Sequence, residues 1–219
     1  MREKWNKSNT HQAEGFYTCF PDDWWAPKEP PELRPTPEIR RERMAKRLLP
    51  MFSHPDVNWI KAVHVPSGAI MGAACWAGPS LPCHGVLRRS AATFYGWQEN
   101  MGWTDAEVDE MWSGVDDDKW SAHFAKDDLA REELTGGPHW YLAPLMTWPE
   151  WQGKGVGRKL LNWAMEQADA TVPPTTMFLE SRPNARAVYI HCGFEPHAEY
   201  RFMRRGPKVV KEPSVLYSR

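Results

Sequence analysis

The sequence predicts an α/β fold, a mixed sheet flanked by helices, and three observations carry that reading. "HWYLAPLMT" (139–147) is mostly apolar and aromatic, as for a strand buried on both faces. It runs through the glycine-rich "WPEWQGKGVG" into "VGRKLLNWAMEQADA", where Val156, Leu160, Leu161, Ala164 and Ala168 share one helical face. "TTMFLES" (175–181) is then a second strand, and the helix that joins the two makes them parallel neighbours.

The remaining elements follow in order. Residues 1–15 are polar and suit a short helix or a loose end. "FPDDWWAPKEPPELRPTP" (20–37) holds too many prolines for a long helix or a central strand, and its Trp24-Trp25 pair pins the coil to the body. "PEIRRERMAKRLL" (37–49) opens on Pro37 and carries a narrow apolar stripe, which predicts a surface helix. "VNWIKAVHV" and "AIMGAACWA", separated by Pro-Ser-Gly, predict a hairpin over 57–77. Residues 86–102, 104–115 and 116–134 read as helices, the last two capped by Thr104 and Asp116. "NARAVYIHC" is a short helix stopped by Gly193, and "FEPHAEYRFMRR" and "PSVLYSR" are late strands. Pro144 inside the 139–147 strand removes a ladder hydrogen bond and predicts an irregularity there. With no linker and no repeat, residues 1–219 read as one domain, with an N-terminal arm and helix at 1–50 and an acidic helical insertion at 79–138.

Composition excludes several classes of function. Net charge is −1, so no global field draws the chain to nucleic acid or to an anionic membrane. No run approaches the ~20 apolar residues of a membrane span, and "MREKWNKSNTHQ" has no signal-type apolar segment. Four scattered cysteines without a CxxC motif point to reduced thiols in the cytoplasm, and no metal ligand set is expected. From Glu99 to Glu133 twelve acids face only Lys119, Lys126 and Arg131. That run is either a solvated helical face or a negative rim that attracts cations. The thirteen tryptophans are core or pocket lining.

The glycine loop is the feature that points to chemistry. Amides at a helix start lack intrahelical partners, and the helix dipole adds positive charge there. Gly153, Gly155 and Gly157 let an anion approach, and Lys154 and Arg158 add charge, so "QGKGVG" suits a phosphate or pyrophosphate. It is neither a Walker loop nor GxGxxG. It does fit Q/R-x-x-G-x-G/A through Gln152, Gly155 and Gly157. With "PLMTWPEWQGKGVG" before it, and Tyr189, Gly193 and Phe194 spaced in "FLESRPNARAVYIHCGFEP" after it, the stretch 139–200 resembles motifs A and B of the GNAT N-acetyltransferase superfamily. The tryptophan-rich arm and the long insertion are similar to a fungal-type subset of that family.

The resemblance implies a sheet whose two parallel strands, 139–147 and 175–181, splay to admit acetyl-CoA. It implies that backbone groups of Gln152, Gly153, Lys154, Gly155, Val156, Gly157 and Arg158 hold the pyrophosphate, and that Leu145 and Thr147 pair with the pantetheine arm. A bulge near Met146 would aim an amide at the thioester oxygen. Tyr189 matches the general acid for the leaving thiolate. The family's Asn, seven residues before that tyrosine, is replaced by Arg182, with Asn184 two residues on. His139 and Glu180 are the candidates for the base. The expected activity is direct acetyl transfer from acetyl-CoA to a small primary amine, cationic or aromatic, by a monomer or homodimer. A non-catalytic CoA-binding module, an enzyme acting on protein N-termini or lysines, and transfer of a longer acyl group remain as alternatives.

Overall fold

A computed structural model describes residues 2–197 and 200–207. The strand expected at 213–219, and with it the dimer edge expected near 208–218, lies outside the described residues.

The chain opens with α1 (Arg2–Cys19) and the single turn α2 (Asp22–Trp25), followed by α3 (Pro37–Leu48). Residues 1–15 were expected as a short helix or a loose end; the helix instead runs on to Cys19. Thr36 caps α3 by accepting the Ile39 amide, and Pro37 takes the first helical position, where its missing N–H loses nothing. The hairpin is β1 (Val57–Val63) and β2 (Ile70–Ala77), antiparallel throughout.

The acidic insertion begins with α4 (Ala91–Phe94) and α5 (Trp97–Met101). One helix was expected over 86–102, but Gly96 sits between these turns at φ 66 and breaks it. The next helices match their expected caps. In α6 (Asp105–Trp112), Thr104 and Glu107 form a capping box, and in α7 (Asp117–Thr135) Asp116 accepts the Lys119 amide. The second half then runs β3 (His139–Thr147), α8 (Val156–Asp169), β4 (Thr176–Glu180), α9 (Arg186–His191), β5 (Glu195–Pro196) and β6 (Arg201–Arg204).

The six strands form one mixed sheet in the order β1-β2-β3-β4-β6-β5, with β3 and β4 parallel. Two apolar layers cover it. On one face α1, α3 and the insertion helices pack on Ala73, Tyr141, Ala143, Phe178 and Met203. On the other, α8 and α9 pack on Ala74, Leu142, Met177, Leu179 and Phe202. All five residues expected on the buried side of α8 are buried. Trp25, Trp76, Trp97, Trp112, Trp120 and Trp148 are buried in the core, and Trp25, Trp112 and Trp120 pack with the half-buried Trp24 under α3. Among the described residues no helix is long and apolar enough to cross a membrane.

Candidate active site

The sheet comes apart where a ligand would need it to. β3 and β4 pair at His139–Thr176, Trp140–Met177 and Tyr141–Phe178, and no further. Beyond Tyr141, among the described residues, β2 alone pairs with β3 as a strand. The ladder to β2 slips by one residue between Leu142 and Leu145, so the irregularity expected from Pro144 is present, at the cis Ala143–Pro144 peptide. The bulge expected near Met146 therefore lies earlier in the strand.

Past the bulge the edge of β3 turned toward the gap can be assigned. Trp148 donates its amide to Met71 O (3.1 Å), which makes that pair a hydrogen-bonded one. Antiparallel alternation then directs the backbone of Met146 to β2 and that of Leu145 and Thr147 to the open edge. The Met146 amide is thus turned away from the gap, and Leu145 supplies the nearest amide after the bulge. Thr147 O accepts from Gln152 Nε2 (3.1 Å) and from Cys19 Sγ (3.4 Å), so the loop and the end of α1 converge on this edge.

At the mouth of the gap stands the glycine loop. Gly153 and Gly155 have φ of 72 and 76, the left-handed region that side-chain-bearing residues avoid. A Cβ at either position would meet nothing within 4 Å, so these glycines serve the backbone path and face open space. Gly157 differs: its backbone needs no glycine, and a Cβ there would make ordinary contact with Leu145 and Thr147 (3.7 and 3.9 Å). Gly155 is the N-cap of α8 and makes no side-chain cap, whereas Thr36, Thr104 and Asp116 cap α3, α6 and α7. The amides of Val156, Gly157 and Arg158 are left as helix-start donors beside an exposed, basic loop. This cradle fits a pyrophosphate. Lys154 lies over the Trp151 ring at 4.8 Å.

Tyr189 and Glu180 lie on opposite faces of the sheet at the parting of the strands. Tyr189 is 5% exposed, edge-on to Phe194 in the α8 layer, and its phenol makes no hydrogen bond among the described residues. Burial raises the phenol well above its ordinary value, so it stays protonated. Glu180 follows Phe178 by two residues and faces α7. Burial and then the neighbouring Asp127 carboxylate push its carboxyl up to about 8, against the pull of Arg131, Tyr141 and Arg201. Its Oε1 is buried without a partner.

His139 is not brought to the same place. It sits two residues before the last paired residue of β3, in a small cavity with Ala77, Pro82, Tyr95 and Tyr141. Its Nδ1 bonds Gly137 O (2.7 Å), Nε2 is 4.0 Å from Cys83 Sγ, and burial lowers its pKa. Arg182 pairs with Asp23 of the N-terminal arm at 3.2 Å, and Asn184 is exposed in the turn Pro183–Ala185.

The acidic run also resolves. Asp127 and Asp128 are neither solvated nor a rim but buried at 6% each. Asp128 accepts from the Gly85 amide, Arg88 and Arg131, each at 2.9 Å. Asp127 accepts from Tyr200 (3.1 Å) and Arg201 (3.2 Å), with His123 Nε2 at 3.8 Å. The helical spacing of Trp120, Phe124, Asp127, Asp128 and Arg131 was the sequence signal for this: all five fall on the buried side of α7. Nothing in the sequence marked Tyr200 or Arg201.

Residues 118–196 match the family model described as the acetyltransferase (GNAT) domain. No curated protein matches the chain. Similar solved structures include a histone acetyltransferase HPA2 and related acetyltransferase from Corynebacterium glutamicum, at 19% identity and TM-score 0.43 over 84% of this chain and 83% of that one. An acetyltransferase at 15% identity has TM-score 0.48 over 92% of this chain and 96% of that one. The polyamine N-acetyltransferase of Drosophila melanogaster, at 10% identity, has TM-score 0.43 over 78% of this chain and 82% of that one.

Proposed function

We infer, with the match of residues 118–196 to the GNAT domain as support, that this chain is an N-acetyltransferase that moves an acetyl group from acetyl-CoA to a primary amine of a small molecule. The observation that supports this reading best is the gap itself: β3 and β4 part after Tyr141–Phe178, with an uncapped helix start at the mouth and one ionisable group on each face. The whole chain is taken as one domain, with residues 1–50 as its arm and 79–138 as its helical insertion.

Acetyl-CoA, when bound, supplies a thioester carbonyl that an amine can attack. The chain's own part is to bind, to orient and to move two protons. Amides of Gly153, Lys154, Gly155, Val156, Gly157 and Arg158 hold the pyrophosphate, helped by the dipole of α8; the Gln152 amide is already given to Pro149 O (3.2 Å), and its side chain braces the loop against Thr147 O. Leu145 and Thr147 offer backbone groups along the open edge of β3 to an extended arm. Met146 keeps that edge in place through β2. Glu180, ionised, accepts a proton from the attacking amine at Oε1, and Tyr189 donates its phenolic proton to the leaving sulfur from the other face. Glu180 rather than His139 takes the base role because only Glu180 stands where the strands have parted. Asn184, exposed in its turn, is left as a contact to the outer part of the cofactor.

The acceptor is a single amine rather than a polycation. The acid that acts on Glu180, Asp127, is already neutralised by Arg201, and its helix neighbour Asp128 by Arg88 and Arg131. Calorimetry with acetyl-CoA, followed by a panel of amines read by mass-resolved product and released thiol, tests the reading. Binding with turnover on a small amine supports it. Binding without turnover on any amine leaves a CoA-binding module, and no binding up to about 1 mM, the upper end of ordinary substrate affinities, removes the reading.

A further inference from the structure

Glu180 and Arg201 are direct cross-strand partners between β4 and β6. An acid and a base so placed have Cβ atoms about 5 Å apart and normally pair. Here they do not: Arg201 Nη2 bonds Asp127 Oδ1 (3.2 Å) and Tyr200 Oη (2.8 Å), while Glu180 Oε1 is buried without a partner. Asp127 reaches across from α7, is 6% exposed, and is fixed further by the Tyr200 hydroxyl at 3.1 Å. The cause of the free lone pair on Glu180 is therefore on another element.

We propose that Asp127 is a positioning residue: it holds Arg201 away from Glu180 and so keeps Glu180 Oε1 free to take a proton from the acceptor amine. This rests on Glu180 being the base. It gives the insertion helix α7 a task in the chemistry, since α7 delivers the carboxylate that the sheet lacks. The other groups facing Glu180 are Arg131 on α7, Tyr141 on β3, Tyr200 before β6 and Arg201 on β6, with Tyr189 on α9 across the sheet; those facing Asp127 are His123 on its own helix, Lys28 on the arm, Tyr141 on β3, and Tyr200 and Arg201. Arg131 is itself engaged by Asp128 (2.9 Å) and by the Tyr141 ring (3.8 Å), so of the two arginines that face Glu180 it is Arg201 that is released when Asp127 is lost.

The test is the pH dependence of transfer, on the best amine from the panel, in wild type, Asp127→Asn, Asp127→Glu and Glu180→Gln. In Asp127→Asn the repelling charge is gone and Arg201 is free to pair with Glu180. The inflection for the base then moves down by about one pH unit or more, the size of an opposite charge brought into contact, and the maximal rate falls at least about tenfold as the base weakens. Asp127→Glu restores both in part. A purely structural role would lower the rate without moving the inflection, and that result overturns the proposal. If Glu180→Gln transfers at the wild-type rate, the base assignment has failed instead. If Asp127→Asn does not fold, Tyr200→Phe, which removes one of the two anchors of Asp127, moves the inflection in the same direction by a smaller amount. An unmoved inflection in that variant overturns the proposal as well.

Discussion

Lys159 donates its amide to the carbonyl of Gly155 at 3.2 Å, and with this bond α8 begins. The three amides before it, of Val156, Gly157 and Arg158, point out of the helix start with no side chain on Gly155 to cap them. A carboxylate placed at Gly155 would fill that role from within the protein. Asp is a good N-cap, but the residue sits at φ 76, so the gain from capping is offset by about 1–2 kcal/mol of left-handed strain. Gly155→Asp is therefore expected to melt close to the wild-type temperature. It is expected to bind acetyl-CoA at least about tenfold more weakly, because an anion now occupies the anion site. Calorimetry, with thermal melting as control, separates the two effects.

Tyr189 packs edge-on against Phe194 with ring centroids 6.0 Å apart and lies 6.3 Å from the ring of Phe202, while its hydroxyl makes no bond among the described residues. Removing only that hydroxyl leaves the packing intact. Tyr189→Phe is expected to lower kcat by about a hundredfold, as for loss of a general acid, with acetyl-CoA affinity unchanged. Equal kcat in the variant would assign the tyrosine to the core alone.

Much of this was legible in the sequence, for stated reasons. The β3–loop–α8–β4 unit is local and strongly patterned, so its strands, its helix face and its parallel pairing could be read directly. The irregularity at Pro144 followed from a missing amide. Harder was the acidic run, because charge counting treats Asp127 and Glu107 alike. Only the helical period separates the buried acid from the exposed one, and only the fold shows that Arg201, 74 residues later, reaches it. The break at Gly96 was missed because an isolated glycine in a helical pattern is as often tolerated as not. Why His139 and Glu180 differ could not be read at all, since one opens a strand and the other closes its parallel neighbour; the difference lies in where the two strands stop pairing.

At Gly72 the hairpin lies tight against β3 and the start of α8. A Cβ there would come within 2.7 Å of Met146 O and 2.9 Å of Val156 Cγ1. The carbonyl belongs to a paired strand and cannot swing aside as a side chain could. Gly72→Ala is expected to destabilise the fold by about 1–3 kcal/mol, the range for overpacking. It should also weaken acetyl-CoA binding, since relief of the clash displaces either the β3 edge or the first residue of α8. Urea midpoints against Gly68→Ala test the stability arm. At Gly68 a Cβ meets nothing within 4 Å, so only its φ of 70 opposes the change.

Glu180 links stability to pH with a definite sign. Its carboxyl, ordinarily near 4.5, is raised to about 8 in the folded chain, first by burial and then by Asp127. Between those two values the folded state holds a proton that the unfolded state has released, so stability falls as pH rises. The contribution is complete below about pH 4.5 and is lost as the pH passes through about 8. Glu180→Gln is isosteric with the protonated acid and has nothing to lose. It is expected to be more stable than wild type at pH 9, by an amount on the order of a few kcal/mol, and to match it near pH 5. The same variant should have lost transfer at every pH, because the form of Glu180 that destabilises the fold is the one that accepts the proton. Paired urea titrations and initial rates at pH 5, 7 and 9 check both halves. Wild type and variant losing stability in parallel would show that Glu180 keeps an ordinary carboxyl and is not held for proton transfer.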